Sequence, residues 1–221
     1  MKYTRGDIRT EISCINAWSA FTISSLPAYP DKNRKGMNLM SLITYPYNRS
    51  RTVAYARRWA LSRNPLFHDF TGGGGNCTNF VSQCLLAGCC QMNFTDTFGW
   101  YYLSVDDRAA AWTGVEFFYN FMTGNNESPI GDGSGPFAEE TGGNLLPGDV
   151  IQLGREEGDF YHTLIVTGRD RRGYLVSAHT DNALDRPLNT YNFRRIRFLH
   201  IDGYRAPEGH ADDCFETLMR G

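Results

Sequence analysis

Apolar residues fall at helical spacing soon after Asn48, where Val53, Tyr55, Ala56, Trp59 and Ala60 share one face. Ser50 is placed to cap that helix and Asn64-Pro65 to stop it. Gly72, Gly73, Gly74 and Gly75 then lead into a second predicted helix of about a dozen residues. Its stripe is Phe80, Val81, Cys84, Leu85 and Leu86, with Gly88 as the expected stop. A third, short helix is expected over residues 114–122. Residues 125–143 hold Gly131, Gly133, Gly135, Gly142 and Gly143 without a period and read as a long loop. After Pro147-Gly148-Asp149, the runs 150–153, 161–167, 174–179 and 196–201 have strand character. Helices followed by strands indicate an α+β fold. Residues 1–45 read as an N-terminal extension, 46–202 as the folded domain and 203–221 as a C-terminal tail.

Composition narrows the classes. A chain of 221 residues with 41% hydrophobic and 14% aromatic side chains can fill a core without metal or disulfide staples. Its 22 basic and 24 acidic groups give no electrostatic case for binding nucleic acid or an anionic membrane. The densest basic run, Arg194, Arg195 and Arg197, alternates with Phe193, Ile196 and Phe198, as in a strand with one wet face. Residues 12–28 are too interrupted by polar side chains for an integral membrane segment, and Asp7 and Glu11 spoil the charge pattern of an export leader.

The six cysteines do not resemble a disulfide framework, because Cys77 and Cys84 share one predicted helix and Cys89 and Cys90 are adjacent. Free thiols in a reducing, cytoplasmic setting are expected, with a secreted or wall-associated location as the alternative. Cys77, Cys84, Cys89 and Cys90 lack the paired spacing of a zinc site. The glycines are followed by Asn76-Cys77-Thr78 instead of the Gly-Lys-Ser/Thr of a phosphate-binding loop. No metal or cofactor is expected.

Cys77 stands apart from the other cysteines by its position. Glycines allow tight backbone geometry just before the helix, and the first helical turn carries N–H groups with no helical partner. Those donors and the positive end of the helix dipole stabilise a thiolate. Around Asn76, Cys77 and Thr78 the same N–H groups could hold the oxyanion of a tetrahedral intermediate. Cys14, Cys84, Cys89, Cys90 and Cys214 lack the glycine lead-in and read as structural.

The candidate base is His162, at the start of the apolar run Thr163-Leu164-Ile165-Val166. If a turn over 169–173 makes a hairpin, pairing Thr167 or Gly168 with Tyr174 sets His162 opposite His179 or Thr180. His179 is then the expected group to orient the base, and a shift of one residue favours Asp181 or Asn182. Trp100, Tyr102 and Trp112, with Asp181, are candidates for lining the substrate cleft.

The blocks Ala54-Tyr55-Ala56, Trp59-Ala60, Asn64-Pro65 and Gly75-Asn76-Cys77-Thr78-Asn79-Phe80-Val81-Ser82-Gln83-Cys84-Leu85 resemble the bacterial putative amidase domain family. So do Trp112-Thr113-Gly114-Val115, Leu146-Pro147-Gly148-Asp149-Val150-Ile151-Gln152, Tyr161-His162-Thr163-Leu164-Ile165-Val166-Thr167-Gly168 and Ser177-Ala178-His179-Thr180. The blocks span roughly residues 46–200. That family is similar to papain-like cell-wall hydrolases of the NlpC and CHAP types. The resemblance implies a nucleophile-bearing helix packed on an antiparallel sheet, with Cys77 as nucleophile, His162 as base and His179 as third residue. The spacing from His162 to His179 is longer than in compact NlpC-type hairpins, which keeps Asp181 and Asn182 open for that role. The implied reaction is hydrolysis of an amide or peptide bond through a thioester, with a peptide or amide substrate such as one from peptidoglycan. An acyl transferase using the same pair and a non-catalytic binding module are the alternatives.

Overall fold

A computed structural model of the chain describes residues 41–221 except Glu157. Cys14 and nearly all of the expected N-terminal extension lie outside the described residues. The first helix, α1 (Arg49–Trp59), is capped by Asn48, whose side-chain oxygen accepts the Arg51 N–H at 3.1 Å. Ser50, the expected cap, instead donates to that same Asn48 oxygen at 2.8 Å.

Helix α2 (Cys77–Cys89) is buried at every position, so the predicted stripe widens into a fully enclosed core helix. It runs past Gly88 and ends at Cys90, which takes the left-handed conformation at φ 49°. Gly88 has a different task. A Cβ there would collide with the Thr52 hydroxyl and the Tyr47 ring, so its bareness lets α2 approach the start of α1. The expected short helix is present as α3 (Ala110–Thr113) and α4 (Val115–Glu127), joined at Gly114.

The sheet has seven strands: β1 (Leu42–Tyr45), β2 (Gly135–Thr141), β3 (Val150–Gly154), β4 (Phe160–Asp170), β5 (Gly173–Ala178), β6 (Ala183–Pro187) and β7 (Arg195–Pro207). Its order is β1-β7-β3-β4-β5-β6, with β2 also on β7, and every pairing is antiparallel. Long β7 is the organiser. Leu199 pairs with both Val150 and Glu140, and Arg205 with both Thr44 and Gly135, so β3 and β1 share one edge and β2 takes the other.

Period-two alternation splits the sheet's apolar residues between two cores. Val150, Ile165, Leu199 and Ile201 join Phe80, Leu85 and Trp112 of the helices and Trp100 of the loop between α2 and α3. Ile151, Leu153, Leu164, Val166 and Val176 form the second cluster with Leu145, Ala183 and Leu188. The four anticipated strands are present, but β2 arises inside the anticipated loop, and β1 and β6 were not anticipated. Asn125 and Asn93 fold the intervening turn by donating to the Ser134 carbonyl at 3.3 and 3.0 Å.

The fully buried Asp149 ties the layers together. It accepts from Arg49 (2.6 Å), the Ile201 N–H (3.0 Å), the Leu146 N–H (2.8 Å) and pairs with His200 (2.8 Å). The C-terminal residues form α5 (Cys214–Arg220), fastened by a Cys90–Cys214 disulfide. The expectation that those cysteines are free thiols is thereby corrected: residues 124 apart in sequence meet at a Cα separation of 5.5 Å, which no local spacing shows. The expected domain end at residue 202 falls inside β7. Among the described residues no helix is long and apolar enough to cross a membrane.

Candidate active site

Cys77 opens α2, and the loop before it is wound through Gly74 and Gly75 at φ +112° and +113°. A Cβ on Gly75 would press on the Thr180 hydroxyl at 3.3 Å. Thr180 itself has φ 81°, an uncommon state for a β-branched residue, and its hydroxyl accepts the Asn76 N–H at 2.9 Å. The glycine loop and the turn at Thr180 are thus clasped just ahead of Cys77.

One residue further, Thr78 and Thr163 share a hydroxyl hydrogen bond of 2.9 Å. It pins the residue after Cys77 to the residue after His162. Cys77 and His162 accordingly line one small cleft of about 130 Å³ with Gly74, Gly75, Tyr161, Thr180 and Asp181.

His162 is 8% exposed, and its ring makes no hydrogen bond among the described residues. Burial drives its pKa down to about 4, opposed by the Asp181 carboxylate and assisted by Arg186. At neutral pH the imidazole is therefore an uncharged base. Tyr161 and Tyr191 stand at 6.2 and 6.0 Å from it, centroid to centroid. The Arg186 guanidinium lies 4.0 Å from the Tyr191 ring centre.

His179 does not join this group. The β4–β5 ladder ends at the Ile165–Ser177 pair and β5 at Ala178, so His179 lies in the turn beyond the strand and is not paired with His162. Both His179 nitrogens are engaged elsewhere, Nδ1 with the Asn76 side chain and Nε2 with the Trp59 carbonyl, each at 2.9 Å. Its ring stacks on Phe80 at 3.9 Å. His179 as orienter of His162 is a correction: no nitrogen is left for the base. Asp181, the alternative, lines the cleft.

The remaining expectations divide similarly. The Asn76 N–H and side chain and the Thr78 hydroxyl are committed within the protein, whereas the backbone N–H groups of Cys77 and Thr78 lie in the first helical turn, which offers them no helical acceptor. Trp100 and Trp112 are wholly buried and Tyr102 nearly so, so none of the three lines the cleft. Buried indole N–H groups need acceptors, and these donate to Ser82 at 3.0 Å and Asn79 at 2.8 Å, while the Tyr102 hydroxyl accepts from the His68 N–H. Tyr161, Thr180 and Tyr191 were not anticipated. The first two are sequence neighbours of His162 and Asp181, the one signal available for them. The other free thiols, Cys84 and Cys89, are fully buried, with pKa values raised by burial, that of Cys89 to about 12.

Cys77 at the head of a helix and His162 on a strand thus line one cleft with Gly74 and Gly75. Residues 46–201 match the model of the putative amidase domain family, and the chain belongs to that family. The chain is 34% identical over 140 residues to the uncharacterized protein YhbB of Bacillus subtilis (strain 168). That match takes in 62% of this chain and spans 42% of the relative's length. No solved structure matches the chain.

Proposed function

We propose that this protein is a cysteine-nucleophile amidase that acts through a thioester, with Cys77 as nucleophile, His162 as base and Asp181 as the charge that steadies the imidazolium. The observation that carries the reading is the cleft shared by Cys77 and His162, braced by the Thr78–Thr163 bond. His162 would take the thiol proton as sulfur bonds to the substrate carbonyl. The backbone N–H groups of Cys77 and Thr78 would hold the resulting oxyanion. As the carbon–nitrogen bond breaks, His162 passes its proton to the departing amine. Water then attacks the thioester, losing a proton to His162, and the thiol leaves and recovers that proton. An imidazolium forms twice in this cycle, and the nearby Asp181 favours it each time. The glycine floor suits an extended peptide, and stem peptides of peptidoglycan are the substrate class we favour.

The test compares the parent chain with Cys77→Ala on purified peptidoglycan, measuring newly released amino groups. The parent should release them and Cys77→Ala should not, at unchanged circular dichroism. Turnover surviving in Cys77→Ala would sink the assignment. Iodoacetamide provides a second readout by labelling Cys77 ahead of the fully buried Cys84 and Cys89.

A further inference from the structure

The Cys77 loop sits at the end of a buried chain of polar side chains whose directions are all fixed by their neighbours. The Trp112 indole, which can only donate, gives its N–H to Asn79 Oδ1 at 2.8 Å. That turns the other end of the Asn79 amide into the donor, toward the His68 carbonyl (3.0 Å) and Asn76 Oδ1 (2.7 Å). Asn76 Oδ1 also accepts the Phe70 N–H at 3.1 Å, so the Asn76 amide nitrogen must point at His179 Nδ1. At the far end the Trp59 carbonyl can only accept, so His179 Nε2 carries the proton and Nδ1 is bare. One tautomer of His179 satisfies both bonds. Neither ring nitrogen has any choice.

We propose that His179 is a positioning residue for the nucleophile, holding Asn76, and with it the backbone that presents Cys77 and the oxyanion N–H groups, in place. This rests on the reading of Cys77 as nucleophile and gives His179 a role on the thiol side of the cleft instead of the imidazole side. The geometry favours this assignment at each contact. Asn76 precedes Cys77, its own N–H is held by Thr180, and its side chain links His179 to the helix N-terminus by a hydrogen bond. Stacking on Phe80, one turn into the same helix, fixes the plane of the imidazole. His179 is 1% exposed and Asn76 likewise, so water does not replace a lost partner.

Two substitutions separate the two bonds of His179. In His179→Asn the amide oxygen stands near the Nδ1 position and accepts from Asn76, while the Trp59 bond is lost. In His179→Gln the amide nitrogen stands near Nε2 and donates to Trp59, while Asn76 loses its acceptor. The rate of Cys77 alkylation by iodoacetamide, followed by peptide mass mapping, is compared in the parent and both variants at matched thermal stability. His179→Asn should stay within about twofold of the parent and His179→Gln should slow by about tenfold or more. Equal effects from the two variants, or none from either, overturn the proposal. Nitrogen-15 spectra of the unmodified protein give an independent reading: His179 must show a protonated Nε2 and a bare Nδ1 at neutral pH, and the opposite tautomer overturns it. A parent Cys77 that never alkylates counts against the nucleophile, while the tautomer still decides the latch.

Discussion

The imidazole of His162 is kept uncharged by its surroundings, and this sets how the site should respond to acid. Burial lowers its pKa to about 4 and the Asp181 carboxylate partly counteracts that. The proposed reaction needs the neutral ring, so activity should persist as pH falls below the ordinary histidine value of about 6.5 and fail near 4. Removing the Asp181 charge removes a contribution that raises the pKa. In Asp181→Asn the acid limb should therefore move to lower pH while the plateau rate drops by roughly 10-fold or more, because the imidazolium is less favoured. A pH profile of kcat/KM checks both; an acid limb that moves upward contradicts the assignment. Cys77 and His162 became candidates through local chemistry alone, a glycine lead-in and the start of an apolar run, and the structure brings both to one cleft. His179 was harder to place. Its place in the turn beyond β5 follows from the hairpin, but its commitment to Trp59 and Asn76 depends on where α1 ends.

Among the elements, the crossing of α2 over the start of α1 rests on the absence of a side chain at Gly88. Gly88→Val would drive a branched side chain into Tyr47 and Thr52 and force the helices apart. A loss of roughly 1–3 kcal/mol in unfolding free energy is expected, and more if Tyr47 gives up its bond to the Gly148 carbonyl. Urea denaturation monitored by circular dichroism measures it, and a stability equal to the parent would show that the contact relaxes at no cost. Sequence pattern placed the interior of α2 well and its end badly, because a glycine near a helix terminus reads as a stop. Here tertiary packing overrides that reading. Strand β2 was hidden for a related reason: Gly133, Gly135 and Pro136 signal a turn, and only pairing with β7 makes the residues after them a strand. Strands β3, β4, β5 and the first half of β7 were plain, since they are short apolar runs bounded by turn residues.

At the scale of the molecule, the two ends of the described chain are bound into its body. Strand β1 pairs with the last residues of β7, and α5 is joined to the end of α2 through Cys90–Cys214. Replacing both cysteines by serine removes a cross-link over a long loop. It should cost roughly 2–5 kcal/mol and lower the melting temperature by about 5–15 °C. Calorimetry of the oxidised parent beside the double variant tests this, and matching melting temperatures would show that α5 holds by packing alone. A cross-link of that span leaves no mark in local spacing, which is why composition suggested free thiols.

The indole N–H of Trp59 and the amide of Asn64 both donate to the Leu218 carbonyl, at 3.1 and 2.9 Å. Trp59 is also the residue whose carbonyl receives His179. Three residues from the final glycine, the chain therefore buttresses the same tryptophan to which His179, the anchor of the Asn76 side chain, is bonded. A boundary drawn at the end of the family match would remove α5, and with it a support of the proposed site that a map of the cleft alone would not include.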